Sequence, residues 1–298
     1  MKKWYWAVFA FPLIFFMAGS SWFFRYMSSH QDPVRSFCLL KPKADSQEFQ
    51  EFVAQGLSSE QCVKQFIAQK KDAAMQAVQK EWQIDAEQFA PLLQRTDHYL
   101  AHMKGASKEG HQIHVPRTLK NTQGDLKRMI SDIMSAHGIV NGSIELMSSP
   151  NCFYPTIFFH DPTSSSDALP HFLLELPRGF EHEPEIFQRG NLEHELTHMA
   201  CGHSIAVNDV SRYLADRDRI PREEILSSES FQKWMRACEY EADLLPSLKN
   251  PETAHSLLCA LDAVKITDDA HPSTRKRKKM VMRVKRLGEL ESPSIQIL

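Results

Sequence analysis

The hydrophobic pattern changes character several times along this chain. Lys2-Lys3 precede a nearly unbroken apolar run from Trp4 to Phe24, which stops at Arg25. Residues from about 28 to 43 carry Pro33 and Pro42 without any period and read as a linker. From Ala44 to about Lys104 the apolar positions recur at helical spacing. Ser58-x-x-Gln61 forms a capping box ahead of Cys62, Val63, Phe66, Ile67, Ala74 and Val78. Asp85-x-x-Gln88 repeats that signal ahead of Phe89, Leu92, Leu93 and Tyr99, so two or three helices are expected. Gly105 to His114 is polar and glycine-bearing and marks a boundary. Leu119–His137 reads as another helix, with Leu126, Met129, Ile130 and Ile133 on one side and Gly138 as its stop.

Beyond Gly138 the pattern turns to short stretches rich in β-branched and aromatic residues, Ile139–Met147, Thr156–His160 and His171–Leu176, between Gly, Asn and Pro punctuation. Asp161–Asp167 reads as a surface loop. Helical spacing returns after Glu183-Pro184, where proline suits a first helical position. Ile186, Phe187, Leu192, Leu196 and Ala200 follow, and Gly202 is placed to weaken or end that helix. Two later stretches are also helical, one through Phe231, Trp234, Met235 and Cys238, the other through the basic residues Arg275–Lys279 with Met280, Val284 and Leu287 as a stripe. The expected fold is α+β: mostly helical with a small β-sheet. It divides into an N-terminal anchor or signal peptide (1–27), a linker and helical region (28–112) and a main domain (113–298).

Composition alters this picture at the N-terminus. The apolar run is just long enough to span a bilayer. It also reads as a signal peptide cut near Ala18-Gly19-Ser20. Trp22, Phe23 and Phe24 extend the run past that site and favour a retained anchor. The two lysines favour a cytoplasmic N-terminus, which puts the rest of the chain across the membrane, in the periplasm of a Gram-negative cell. A net charge of −2 gives no reason to expect nucleic acid as a partner. The dense basic stretch near residue 280 reads either as a helix packed on the domain or as a contact for anionic lipid headgroups. Six cysteines (Cys38, Cys62, Cys152, Cys201, Cys238, Cys259) permit pairing in an oxidising compartment, but none has the C-x-x-C spacing of a thiolate zinc site.

The chemistry concentrates in Asn191–His203. His194-Glu195-Leu196-Thr197-His198 is H-E-x-x-H, and on a helix residues four apart share a face, so both imidazoles can reach one ion. Glu195, beside the first ligand, can take a proton from water on that ion. A catalytic zinc needs a third protein ligand and an open position. The best source is Cys238-Glu239-Tyr240-Glu241-Ala242-Asp243, on the next helical pattern, with Glu239 and Glu241 as rival ligands. Asp243, one turn beyond Glu239, can accept the second N–H of a ligand histidine. His203 reads as a structural histidine, because a fourth ligand closes the site to water. His271, before Pro272, either stabilises an oxyanion or holds a loop.

Taken together, His194-Glu-Leu-Thr-His198 with His203, Glu239-x-x-Ala242-Asp243 and His271-Pro272 resemble the CAAX prenyl protease/HtpX-type zinc metallopeptidases, which are gluzincins. Asn151-Cys152-Phe153 is similar to that family's Asn-Ala-Phe segment. The resemblance covers about residues 115–290. It implies Zn²⁺ on His194, His198 and Glu239, with Glu195 as general base, Asp243 behind the ligands and an endopeptidase acting on proteins or peptides of the cell envelope. Thr197 departs from the family's usual glycine. A single expected span, where well-known members have several, places the chain nearer periplasmic or single-anchor members. The alternative expectation is a non-catalytic zinc-containing or membrane-surface binding protein.

Overall fold

A computed structural model describes residues 57–105, 111–114, 123–160, 171–263 and 270–291. The apolar run of residues 1–27, the linker, Cys38 and the Asp161–Asp167 loop lie outside the described residues. Among the described residues, no helix is long and apolar enough to cross a membrane.

The helical region begins as its capping signals require. Helix α1 (Ser59–Glu81) opens on Ser58, whose hydroxyl accepts from the Gln61 N–H while the Gln61 side chain accepts from the Ser58 N–H. Helix α2 (Ala86–Lys104) opens on Asp85, which accepts from the Gln88 N–H at 2.8 Å. Such caps are worth about 1 kcal/mol each. Helix α3 (Gln123–Ala136) stops at Gly138, whose φ of +70° suits a residue without Cβ.

The sheet holds four strands in the order β1-β2-β4-β3: β1 (His111–His114), β2 (Gly142–Ser149), β3 (Thr156–His160) and β4 (His171–Pro177). β1 and β4 run parallel to β2, and β3 runs antiparallel to β4 along one edge. The expected strands are all present, β2 beginning at Gly142 rather than Ile139. β1 is an addition. It occupies residues expected to be a boundary, so the division at residue 112/113 falls inside a paired strand.

Helix α4 (Glu185–Ala200) follows, one residue after Pro184, which caps the helix instead of starting it. Gly202 then adopts φ +70°, and the chain restarts as α5 (His203–Asp218). Helices α6 (Arg222–Ser227), α7 (Glu229–Lys249), α8 (Pro251–Ala263) and α9 (Thr274–Glu291) complete the described chain. The architecture is mostly helical with one small mixed sheet, in agreement with the expected α+β class.

Three apolar clusters hold these elements. The sheet, α3 and α4 share one, including Ile144, Phe172, Leu174, Leu192, Leu196 and Met199, all fully buried. A second joins α1, α7, α8 and α9, and a third joins α1, α2, α5, α6 and α7. The helical region therefore packs directly on the helices of the main domain. Met280, Val281 and Val284 of α9 lie in the second cluster. Burying each contributes roughly 1.5–3 kcal/mol, so these three residues of the basic helix belong to the core.

A candidate metal centre

The site is set by how α4 is held. Gly190 crosses α8 so closely that a Cβ there would stand 2.1 Å from the Ser256 carbonyl oxygen. One turn later, His194 and His198 project from the same face of α4 toward α7. Their Nε2 atoms are 3.2 Å apart. Glu239 of α7 completes a triangle, with Oε2 at 3.2 Å from His194 Nε2 and Oε1 at 3.2 Å from His198 Nε2. Ligand atoms about 2.0–2.1 Å from a tetrahedral ion stand roughly 3.3 Å from one another, so these donors have the spacing such an ion needs. Glu239 Oε2 is moreover buried without a well-formed hydrogen bond, held only by charge, with Arg277 Nη1 at 3.3 Å and His194 Nε2 at 3.2 Å, so it keeps lone pairs to offer a metal ion. The set fits a metal ion, and both tests are met by the glutamate that the resemblance selects over its rival.

Each histidine is oriented from behind. His194 Nδ1 lies 3.0 Å from Asp243 Oδ1. Arg277 of α9 donates twice to that carboxylate, Nε to Oδ2 at 2.7 Å and Nη2 to Oδ1 at 2.8 Å. His198 Nδ1 meets His203 Nδ1 at 2.9 Å, and His203 Nε2 meets Glu241 Oε2 at 2.8 Å. Lys71 of α1 donates to the same oxygen at 2.7 Å. The αL break at Gly202 makes this possible, because it turns the start of α5 back toward α4. A Cβ on Gly202 would also strike Thr96 Cγ2 at 2.4 Å.

Electrostatics follow from this crowding of buried groups. Burial and Arg277 press the His194 pKa down, but Glu239 and Asp243 outweigh them and hold it at about 10. Burial works against the Glu239 carboxylate, yet His194, Arg277 and His198 keep its pKa well below the usual range. Burial pushes the Glu195 carboxyl up, against the pull of His194 and His198. Burial lowers His203 to about 4 despite Glu241, so that ring is neutral near pH 7.

Glu195 stands beside the triangle. Its Oε1 is 3.9 Å from His194 Nε2, and its Oε2 accepts from the Ile157 N–H of edge strand β3 at 2.9 Å. His271 lies across the opening, Nε2 3.5 Å from Glu239 Oε1 and its ring edge-on to Tyr154. Thr197 points the other way. It is fully buried, donates to the Glu193 carbonyl at 2.6 Å and touches His137, so replacing glycine there leaves the ligand face intact. Phe153, in the Asn151-Cys152-Phe153 turn, is exposed. The five described cysteines are free thiols.

All six residues expected at the site (His194, Glu195, His198, Glu239, Asp243, His271) are brought together. Sequence reasoning missed Arg277, hidden within a run of basic residues, and Lys71, one of a lysine pair on an amphipathic helix. His203, expected as a structural histidine rather than a fourth ligand, stands outside the triangle, between His198 and Glu241. The position of Arg277, six residues after His271, carried no signal of burial. No family model matches this chain, and no curated protein or solved structure matches it.

Proposed function

We propose that this chain is a zinc-dependent endopeptidase of the gluzincin type, resembling the CAAX prenyl protease/HtpX-type metallopeptidases and acting on envelope proteins from an N-terminal membrane anchor or after export. The observation carrying this reading is the triangle of His194, His198 and Glu239 donor atoms with a carboxylate, Glu195, placed beside it rather than in it. Three ligands and an adjacent base are the makings of a catalytic site, whereas a structural zinc takes four ligands.

A zinc ion held by these side chains supplies Lewis-acid polarisation of a carbonyl and lowers the pKa of water bound to it. The protein's own groups do the remainder. Glu195, its carboxyl raised by burial, takes the proton of the attacking water and passes it to the departing amine. The Ile157 N–H keeps that carboxylate from rotating away. His271 stands at the mouth of the cleft, where it can donate to the developing oxyanion. Asp243 and Arg277 hold the His194 ring in place.

One observation favours a second reading, a non-catalytic metal protein. The cavity lined by Tyr154, Pro155, His194, Glu195, His271 and Arg277 holds only about 30 Å³. That is room for two or three waters, at roughly 10–15 Å³ each. On the catalytic reading the Tyr154 and His271 segments must part before a peptide enters.

The deciding experiment uses the full chain in mild detergent, with an unfolded polypeptide such as casein as probe. The parent should cleave it and lose activity when zinc is chelated. Glu195→Gln should keep its zinc and lose cleavage by about 10²–10⁴-fold. Full activity in Glu195→Gln refutes the general-base role. Stoichiometric zinc with no cleavage by the parent, even after acid or heat loosening, establishes the non-catalytic reading.

A further inference from the structure

The contact between His198 and His203 has a direction that the chemistry fixes. Two ring nitrogens 2.9 Å apart share one proton, and either ring can carry it. His198 turns its Nε2 toward His194 and Glu239. A neutral imidazole that gives Nε2 to a metal must carry its proton on Nδ1. His203 Nδ1 is then the acceptor, and its own proton sits on Nε2, 2.8 Å from Glu241 Oε2. That carboxylate oxygen also takes the Lys71 ammonium at 2.7 Å.

The geometry points to His203, Glu241 and Lys71 as a positioning relay for the metal ligand His198, running from helix α1 through α7 and α5 to the centre. This inference rests on the three-ligand reading above and adds residues that the H-E-x-x-H pattern leaves unassigned. The relay fixes the His198 tautomer and raises the basicity of its Nε2, as Asp243 does directly for His194. The groups involved are screened from water: side-chain exposure is 5% for His203 and 12% for Glu241.

The same residues admit a rival. Cys201, His203 and Glu241 lie close enough together to hold an ion of their own. Lys71 argues against it, since its ammonium already occupies the Glu241 oxygen that His203 uses. A metal there would also claim His203 Nε2, and His203 could no longer donate to Glu241.

The test is zinc affinity of the full chain in detergent, measured by competition with a chromophoric chelator. The parent should bind one zinc. His203→Leu, which offers no acceptor, should weaken it about 10–100-fold. His203→Gln should stay near the parent, because its amide oxygen accepts and its amide N–H donates. Lys71→Met, on a partly exposed side chain, should fall between them. Zinc bound by His203→Leu as tightly as by the parent, while Glu239→Gln has lost it, refutes the relay and leaves the three-ligand site standing. Two zinc ions per parent chain, one of them lost in Cys201→Ser, refutes it by making His203 a ligand. A parent that takes up no zinc removes both readings. If His203→Leu does not fold, long-range ¹H–¹⁵N spectra of the zinc-loaded parent decide. His203 protonated on Nε2 supports the relay, and His203 protonated on Nδ1 overturns it.

Discussion

Removing the Arg277 guanidinium should damage this protein more than any ordinary loss of a surface cation. Arg277 sits in the basic stretch of α9, yet its side chain is 4% exposed, and Asp243, which it grips with two hydrogen bonds, is wholly buried. Arg277→Met keeps most of the apolar volume but strips buried Asp243 of both guanidinium hydrogen bonds, leaving the His194 ring at 3.0 Å as its remaining ionic neighbour. Breaking a buried pair from one side costs about 3–5 kcal/mol. For a chain of this size each kcal/mol moves the melting temperature by about 2–4 °C, so a fall of about 6–20 °C is expected in metal-free protein.

Acidity supplies the internal check. Arg277 and His194 hold the Asp243 pKa below its ordinary value, against burial. A carboxylate depressed in the folded state stabilises at pH values above its unfolded pKa of about 3.9 and loses that contribution as pH falls through the folded value. Thermal unfolding followed by circular dichroism should therefore show the full gap between parent and Arg277→Met at pH 7. The gap should narrow as pH falls, because the variant's carboxyl, buried without the guanidinium, takes its proton first and the parent's only below its ordinary range. The double variant Asp243→Leu/Arg277→Met buries no unpaired charge and should melt above Arg277→Met alone. A single variant within about 2 °C of the parent, at a cost under ~1 kcal/mol, would refute the claim that this arginine neutralises a buried carboxylate.

Two other outcomes follow from the same geometry. Gly190→Ala sets a methyl group against the Ser256 carbonyl, so despite the better helix propensity of alanine it should cost about 1–3 kcal/mol by overpacking and displace the ligand face of α4; chemical denaturation and chelator competition on one preparation read both effects, and an unchanged or raised stability would show that α4 and α8 separate freely. Zinc loading should release about one proton per ion at pH 7, because His194, held at about 10 in the metal-free protein, must become neutral to serve as a ligand. Calorimetry in buffers of differing ionisation enthalpy measures this, and zinc uptake with no proton release would contradict the raised pKa.

What could be read from the sequence was what repeats locally. The H-E-x-x-H spacing coincides with the helical turn, so His194 and His198 were legible as a pair. The capping signals at Ser58 and Asp85 are short-range hydrogen bonds, and they appear where the residues place them. Strand β1 was missed because it is four residues long and buries only Ile113 among two histidines and a glutamine. Alternation needs more than one apolar position to be heard. Choosing Glu239 over Glu241 required a family pattern, since both lie on one helix within a turn of each other and only the neighbouring helices decide which meets α4.

The residues the sequence concealed share one physical trait: each is a cation whose partner lies far away in the chain. Lys71 joins Glu241 across 170 positions, and Arg277 joins Asp243 across 34. A lysine or arginine on an amphipathic helix reads as solvated until its partner is known, because burying it unpaired is prohibitive. At this centre the two cations back the two imidazoles from helices at opposite ends of the described chain, α1 and α9. Neither ligand is therefore fully oriented until both helices have docked, and the triangle of donors is a product of the complete fold rather than of α4. Ligand geometry that exists only in the folded state makes metal affinity a contribution to folding stability. The helical region ahead of the sheet is, on this argument, part of the metal centre, and a fragment beginning at residue 113 would retain H-E-x-x-H, His203 and Glu241 while losing Lys71, the cation at the far end of the support behind His198.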